Sequence, residues 1–316
     1  MGRSPLVAAL DIGGTKSSAA LVDAAGRIVA RVVGPTPASA GADATLDSAA
    51  RLVRDLIDTR DGSTAIVGAL GVATAGVVDP RSGRILSATD AISGWAGTDV
   101  AEGLRRRLGL PIAVDNDVHA HLIGELTAGA AVGRACVLLV AVGTGIGGSL
   151  AVDGRIHRGH GRVAGHLGHV PSPSGAGVPC TCGGTGHVEA VASGPALVRA
   201  YNRRSARLPA DLADVAARAT TGTDAVAADV IWAGGTEIGH LIGGLINVLD
   251  PDRVIVTGGV SACGPGWWAA LLAAADADVL PPIRAAGPIR HLVVPSVLGA
   301  DAPLLGAAEL ARTLAT

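Results

Sequence analysis

Apolar and polar residues follow two different periods along this chain, one typical of strands and one typical of helices. Short continuous apolar runs bounded by glycine, proline or acidic residues predict buried strands. These runs cover residues 6–12, 17–22, 28–33, 64–74, 111–114, 135–142, 149–152, 253–256 and 291–294. Apolar residues at helical spacing predict helices at 43–57, 98–108, 118–129, 195–203, 209–219, 223–249 and 301–313.

A glycine-rich turn follows three of the predicted strands. Glycines allow backbone N–H groups to approach a phosphate closely, and hydroxyl and ammonium groups add further donors. The turns contain Gly13, Gly14, Thr15 and Lys16, then Gly143, Thr144 and Gly145, and finally Gly258 and Gly259. A Gly-Gly hairpin turn is also a common structural feature, so each turn alone is a weak signal. The strand–turn–strand pattern occurs at 6–22 and again at 135–152, which indicates two related halves, each with a phosphate loop.

The chain of 316 residues is long enough for two domains and a substantial core. We predict a small N-terminal α/β domain at residues 1–117, closed by a C-terminal helix at 301–316. A larger α/β domain is predicted at residues 118–300, and it includes the Gly-, Pro- and Cys-containing loop 165–189.

Composition excludes several classes of partner. The net charge of −2, with no Phe, one Tyr and four Trp, provides neither a basic patch nor an aromatic platform for nucleic acid. No apolar run reaches membrane-spanning length, and the N-terminus lacks the pattern of a signal peptide. Cys136 and Cys263 are isolated in apolar stretches, so no disulfide framework is expected, and we predict a cytoplasmic protein.

The loop 165–189 carries a candidate metal site. Its four ligand residues are His169, Cys180, Cys182 and His187. Two cysteines one residue apart strain a mutual disulfide, whereas two thiolates and two imidazoles match a closed, structural zinc site. The spacing is not that of common zinc fingers, and a buried cysteine pair with surface histidines is the alternative. The second ring nitrogen of His169 is predicted to bind a substrate hydroxyl.

Acidic and amide groups follow the predicted strand 111–114. A helix N-terminus stabilises anions, and one such group often caps the helix. Asp115, Asn116 and Asp117 exceed what capping requires, so we predict a functional site that includes one cap.

Taken together, these motifs resemble the ROK family of sugar kinases. The residues that carry the resemblance are Asp11–Lys16, Asn116-Asp117, Gly143–Gly148, His169 with the Cys-x-Cys-Gly loop and Glu189, and Thr257–Gly259. The resemblance implies the actin/hexokinase-like (ribonuclease H-like) two-domain α/β fold, with ATP and sugar in an interdomain cleft. It also implies ATP, Mg²⁺ and a structural Zn²⁺ as cofactors, and a homodimer.

The resemblance assigns roles to individual positions. Asp117 is expected to be the base that takes the proton from a sugar hydroxyl, usually the 6-hydroxyl. The sugar-side residues are expected to be Gly76, Asn116, Asp117, His166, His169 and Glu189. The ATP and phosphate side is expected to comprise Asp11, Gly13, Gly14, Thr15, Lys16, Gly143, Thr144, Gly145, Gly258 and Gly259.

Two positions depart from the family pattern. His166 replaces a usual glutamate, which removes an anionic acceptor from the sugar pocket and predicts a changed or narrowed substrate. His187 replaces a usual cysteine, and because imidazole can substitute for thiolate on zinc, we expect the metal to persist.

The resulting hypothesis is an ATP-dependent kinase for glucose or a glucose-like amino sugar. A kinase specific for N-acetylglucosamine, N-acetylmannosamine or an amino-deoxyglucose such as kanosamine is the alternative. A non-catalytic sugar-sensing protein is less favoured. A ROK repressor would need a helix-turn-helix before the first phosphate loop, and only ten residues precede Asp11, so a DNA-binding role is not expected.

Overall fold

The computed structural model describes residues 6–58, 67–205 and 211–314, which fold into two compact units. Unit 1 comprises Met1–Gly133, Arg158–Val163 and Val297–Thr316, and unit 2 comprises Arg134–His157 and Ala164–Ser296. The first division therefore falls after Gly133 and not after residue 117, the boundary predicted from the sequence.

Twelve strands and eleven helices are present in the described residues. The strands are β1 Leu6–Ile12, β2 Lys16–Val22, β3 Ile28–Pro35, β4 Val67–Thr74, β5 Val77–Asp79, β6 Arg84–Ser87, β7 Ile112–Asn116, β8 Val137–Val142, β9 Ile146–Val152, β10 Arg155–His157, β11 Arg253–Thr257 and β12 Val293–Pro295. The helices are α1 Ala42–Asp58, α2 Val100–Leu108, α3 Asp117–Ala128, α4 Val188–Ala192, α5 Gly194–Arg204, α6 Leu212–Thr221, α7 Ala225–Leu249, α8 Pro265–Asp278, α9 Pro281–Ala286, α10 Ile289–Leu292 and α11 Ala302–Arg312. The predicted starts of the strand at 64–66 and of the helix at 209–210 lie outside the described residues.

The main sheet of unit 1 has the order β3-β2-β1-β4-β7. The first three strands form an antiparallel meander, and β4 and β7 run parallel to β1. Ile12 pairs with Thr74, and Thr74 pairs with Asn116. Because parallel strands end at the same edge, the segments that follow β1, β4 and β7 emerge side by side.

The two faces of this sheet are packed by side chains of different size. On β1, Leu10 and Ile12 join the core formed with α1 and α2, whereas Ala9 joins the core formed with α11. The small residues on the second face allow a close approach of α11, and a Cβ atom at Gly71 would lie 1.7 Å from the carbonyl oxygen of Ala307. The C-terminal helix thus packs on the sheet of unit 1 and on α3.

Unit 2 repeats this topology. Its sheet has the order β10-β9-β8-β11-β12, with an antiparallel meander β8–β10 and with β11 and β12 parallel to β8. The two halves that the repeated strand–turn–strand pattern indicated are therefore present as two sheets of the same strand order. In the part of the chain that the structure describes, no helix combines the length and the apolar character needed to span a membrane.

Helix α7 contains several glycines that permit close helix packing. A Cβ atom at Gly239 would lie 2.4 Å from the carbonyl oxygen of Leu271 on α8, and Gly235 and Gly243 make similar approaches to α8. Gly244 is exposed, and a Cβ atom there would meet nothing within 4 Å. The helix propensity lost at most of these glycines is therefore offset by packing against α8.

We expect opposite effects from two alanine substitutions on α7. Gly239→Ala should destabilise the protein by about 1–3 kcal/mol, because the added methyl group overlaps the α8 backbone. Gly244→Ala is the matched control and should stabilise the protein by up to about 1 kcal/mol through helix propensity. Unfolding midpoints in denaturant would measure both changes, and an equal effect of the two substitutions would contradict the packing account.

Candidate active site and metal site

The turn after β1 has a backbone that suits glycine. The N–H group of Gly13 donates a hydrogen bond to the carbonyl oxygen of Lys16 at 3.1 Å. A Cβ atom at Gly13 would lie only 2.9 Å from that same oxygen, so a side chain there would force the turn to open. Thr15 and Lys16 are exposed, which leaves their side-chain donors available to a ligand. Gly14, just before Thr15, is half-buried.

Asp11 lies one residue before the end of β1 and is half-buried. Burial raises the pKa of its carboxyl group to about 7, with a further contribution from the nearby Asp117 and partial compensation by Lys16 and Arg31. Two carboxyl groups therefore oppose each other's ionisation at this edge. A cation would relieve that repulsion, and carboxylate oxygens are ligands that suit Mg²⁺.

Asn116 and Asp117 stand where β7 becomes α3. Asn116 is the N-cap: its Oδ1 accepts hydrogen bonds from the N–H groups of Val118 at 2.9 Å and His119 at 3.2 Å. Its Nδ2 donates to the carbonyl oxygen of Gly76 at 3.0 Å. The predicted cap is thus Asn116, and two of the predicted sugar-side residues, Gly76 and Asn116, are joined directly.

The carboxylate of Asp117 is held in the first turn of α3. Its Oδ1 accepts a hydrogen bond from the N–H group of Val118 at 2.9 Å. Burial raises the pKa of the Asp117 carboxyl group, and the hydrogen bond from Val118 and the nearby His119 only partly offset this. The group is therefore a stronger base than an exposed aspartate.

The fully buried carboxylate of Asp115 stabilises this strand–helix junction. Its Oδ1 accepts from the N–H group of Asn116 at 2.8 Å and contacts His119 Nδ1 at 3.1 Å. Its Oδ2 accepts from Arg158 Nε at 3.1 Å and from Arg158 Nη2. Burial alone would raise the pKa of Asp115, but the bonds with His119 and Arg158 outweigh it and hold the pKa below its usual value.

No feature of the sequence predicted a role for Arg158 at this junction. It belongs to the short segment Arg158–Val163, which follows β10 of unit 2 in the chain but packs with unit 1. No motif marks this position, because an arginine after a strand normally indicates a solvated turn.

Two glycine turns lie at one edge of the unit 2 sheet. Thr257 at the end of β11 pairs with Ala141 near the end of β8, so the turns that follow these strands are neighbours. Gly258 has a φ of 95°, and a Cβ atom there would lie 2.3 Å from the carbonyl oxygen of Val142, which only glycine avoids. Gly259 has open space around it.

The turn after β8 is closed by its own backbone. The N–H group of Gly143 donates to the carbonyl oxygen of Gly145 at 2.8 Å, and the carbonyl oxygen of Gly143 accepts from Gly194 at the start of α5, also at 2.8 Å. Thr144 and Gly145 are exposed.

Glu189 connects this turn to the cysteine loop. Its Oε2 accepts from the N–H group of Ile146 at 2.8 Å, and its Oε1 accepts from the Thr181 hydroxyl at 2.5 Å. Glu189 is 8% exposed. Sγ of Cys180 also lies 3.9 Å from Oε1. Oε2, with one donor, can still accept another hydrogen bond, so the group can bind a hydroxyl while the protein holds it in place.

The four predicted metal ligands lie together. One side-chain ligand atom from each of His169, Cys180, Cys182 and His187 falls within 4.8 Å of all the others. Nδ1 of His169 is 3.7 Å from Sγ of Cys180, and Nδ1 of His187 is 3.3 Å from Sγ of Cys182. In a tetrahedral zinc site with ordinary bond lengths, ligand atoms are roughly 3.3–3.8 Å apart. The donor set and its spacing therefore fit zinc.

Without a cation this cluster is not favourable for thiolates. Burial raises the pKa of the Cys180 thiol, and the nearby Cys182 and Glu189 raise it further. A divalent cation reverses this balance, because a coordinated thiol is deprotonated.

His166 and His169 occupy neighbouring positions on the loop. Their ring centroids are 6.3 Å apart with an interplanar angle of 28°. His169 is half-buried and His166 is exposed. Because Nδ1 of His169 faces the sulfur of Cys180, its Nε2 is the ring nitrogen left for another partner.

The predicted residues therefore assemble into one group in each unit. Unit 1 brings together Asp11, the 13–16 turn, Gly76, Asn116 and Asp117 at the carboxyl edge of its sheet. Unit 2 brings together the 143–145 and 258–259 turns, the histidines of the loop, the two cysteines and Glu189.

Comparison with known proteins identifies the family and the fold of this chain. The model of the ROK family matches residues 7–314. A glucokinase of Streptomyces coelicolor is 32% identical, with 97% of this chain and 98% of the relative covered. An N-acetylmannosamine kinase of Shigella flexneri is also 32% identical, with the same coverage of both chains.

A solved structure shows the same fold. The ROK family glucokinase from Streptomyces griseus, in complex with glucose and AMPPNP, superposes with a TM-score of 0.82 at 30% identity, covering 98% of this chain and 99% of that one. The predicted actin/hexokinase-like two-domain α/β fold is confirmed. With a family model that spans nearly its whole length and relatives of this identity, the chain belongs to the ROK family.

Proposed function

We propose that this ROK-family sugar kinase transfers the terminal phosphoryl group of ATP to the 6-hydroxyl of glucose or of a glucose-like amino sugar. The observation that carries the proposal is the carboxylate of Asp117, whose pKa is raised by burial and which stands at the carboxyl edge of the unit 1 sheet. The glucokinase relatives, including the structure that holds glucose and AMPPNP, support the choice of substrates.

In this reaction the sugar hydroxyl oxygen forms a bond to the terminal phosphorus while the bond to the departing ADP oxygen breaks in line. The hydroxyl proton passes to the Asp117 carboxylate. A raised pKa brings the proton affinity of that group closer to neutral pH, where a general base is most effective, and such a base contributes roughly 10²- to 10⁴-fold in rate. The hydrogen bond from Val118 fixes the orientation of the carboxylate.

The glycine turns are assigned to the nucleotide phosphates. Their backbone N–H groups are suitable donors, and the exposed Thr15, Lys16 and Thr144 add side-chain donors. Asp11 would supply a carboxylate ligand for Mg²⁺. When bound, that ion would neutralise charge on the phosphate oxygens.

The loop 165–189, which carries the four candidate zinc ligands, is assigned to substrate orientation. Zinc bound by this loop would be held in part by Nδ1 of His169, and Nε2 would then be the ring nitrogen that donates a hydrogen bond to the substrate. The carboxylate of Glu189 has no donor, so it can only accept a hydrogen bond. The loop therefore offers one donor and one acceptor to a sugar hydroxyl pair.

His166 favours a second candidate, an amino-sugar kinase. An imidazole in place of a carboxylate removes an anionic acceptor beside His169, which weakens recognition of a hydroxyl that donates. The N-acetylmannosamine kinase of Shigella flexneri has the same sequence identity to this chain, 32%, as the S. coelicolor glucokinase. N-acetylglucosamine, N-acetylmannosamine and kanosamine therefore belong in the substrate panel. The homodimer implied by the family resemblance stays a prediction.

Replacing the base tests catalysis directly. Asp117→Asn should lower kcat for sugar-dependent ADP formation by roughly 10²- to 10⁴-fold, because the amide cannot accept the proton. Asp55→Asn, which removes an exposed carboxylate from α1, is the matched control and should retain wild-type kcat. Wild-type protein without turnover on any hexose of the panel would instead favour a non-catalytic sugar-sensing protein.

His166→Glu tests substrate choice. Restoring a carboxylate should raise kcat/KM for glucose relative to the amino sugars by about 10-fold, the value of one charged hydrogen bond. The same substitution at the exposed His157 on β10 is the control for added charge. An unchanged ratio in His166→Glu would remove His166 from the specificity determinants.

Metal content tests the loop assignment. Purified protein should contain about one zinc per chain by elemental analysis. Cys182→Ser should lose most of it, His187→Cys should keep it, and Cys136→Ser, outside the loop, should leave it unchanged. Zinc-free wild-type protein, or full zinc in Cys182→Ser, would show that the four residues do not form a metal site.

A further inference from the structure

A cavity of about 410 Å³ lies in unit 2 at the edge of the sheet opposite the glycine turns. Its lining includes Arg134, just before β8, Arg253, the first residue of β11, and His291, just before β12. The phosphate-side turns follow the other ends of β8 and β11. Five residues of β11 separate the two edges by roughly 15 Å, so this cavity is distinct from the groups assigned to phosphoryl transfer. Its volume is in the range that small ligands occupy.

Two guanidinium groups give this cavity unused hydrogen-bond donors. Nε of Arg253 is buried, and no described residue accepts a hydrogen bond from it. The same side chain donates through Nη1 to the carbonyl oxygen of His291 at 3.3 Å, which holds the group in place. Arg134 is exposed. A buried donor without an acceptor is costly, and a bound oxyanion would satisfy it.

The positive charge here is only partly compensated. Burial lowers the pKa of Arg253, repulsion from Arg134 lowers it further, and Asp252 offsets part of this. The Asp252 carboxylate is engaged elsewhere, since its Oδ2 accepts from the N–H groups of Ala135 at 2.9 Å and Cys136 at 3.4 Å. The other acid in the lining, Asp250, is the C-cap of α7.

Much of the cavity lining is apolar. Pro282 and Ile283 of α9 and Ile289 and Leu292 of α10 contribute to the lining. A fully hydrated inorganic ion would gain nothing from these side chains, whereas a ligand with a hydrophobic or ring-shaped body would bury apolar surface against them.

We propose that this cavity binds a small organic phosphate ester, with its oxyanion on Arg134 and Arg253 and its body against Pro282, Ile283 and Leu292. The proposal does not depend on the identity of the sugar substrate or on Asp117 as the base.

Calorimetric titration of the full-length protein with phenyl phosphate tests this assignment. Arg253→Gln and Arg134→Gln should each weaken binding by roughly 10- to 100-fold, because each removes a charged donor. Arg284→Gln removes the same charge from α9, at a residue outside the lining, and should leave the affinity unchanged. Both arginines are outside the catalytic groups, so sugar-dependent turnover without added anion should stay at the wild-type level in Arg134→Gln.

Titration with inorganic phosphate distinguishes a free phosphate ion from a phosphate ester as the ligand. Inorganic phosphate should bind at least about 10-fold more weakly than phenyl phosphate, since it lacks the apolar body. Equal affinities would overturn the claim that the apolar lining selects an ester. Phenyl phosphate binding that persists unchanged in both arginine variants would place the ligand elsewhere in the chain and overturn the site.

Discussion

The proposed catalytic geometry depends on one interaction, the pairing of the buried Asp115 carboxylate near the end of β7. Asp115 is fully buried, and such a charge is tolerable only when its oxygens are fully paired. Asn116, His119 and Arg158 supply these partners. Because the main-chain N–H of Asn116 is one of the donors, the same interaction fixes where the strand ends and the helix begins. That junction sets the position of the Asp117 carboxylate, while the cap and the Gly76 contact fix the amide beside it.

The remaining site residues are positioned by a topology that occurs twice. In each unit an antiparallel meander is extended by two parallel strands, so the segments after the parallel strands meet at one edge. This arrangement brings the glycine turns to that edge, because each turn follows a strand that points toward it. Several of these features were visible in the sequence: the apolar runs ending in glycine, the Asp-Asn-Asp triplet where β7 becomes α3, and the four zinc-type ligands, which the structure brings within 4.8 Å of one another.

Other features had no local signal. Arg158 contacts Asp115 across 43 positions of sequence, and nothing in its own neighbourhood predicts such a partner. Glu189 was predicted as a sugar ligand, but its bonds to Ile146 and Thr181 depend on two loops meeting. The division after Gly133 rather than residue 117 follows from the packing of α3 against α11, in which the methyl group of an alanine at Gly306 would lie 1.8 Å from the Ala120 carbonyl oxygen. Long-range packing of this kind cannot be read from hydrophobic periodicity.

The central claim is that the Asp115–Arg158 contact positions Asp117, the proposed base. The most direct measurement is the kcat of Arg158→Gln for its best sugar, at a temperature where circular dichroism shows the variant folded. If loss of the Arg158 contact displaces Asp117 by about 1 Å, kcat should fall by roughly 10²-fold. Arg155→Gln, on the exposed neighbouring β10, should behave as wild type, and Arg158→Lys should recover part of the activity. A folded Arg158→Gln with wild-type kcat would contradict the account.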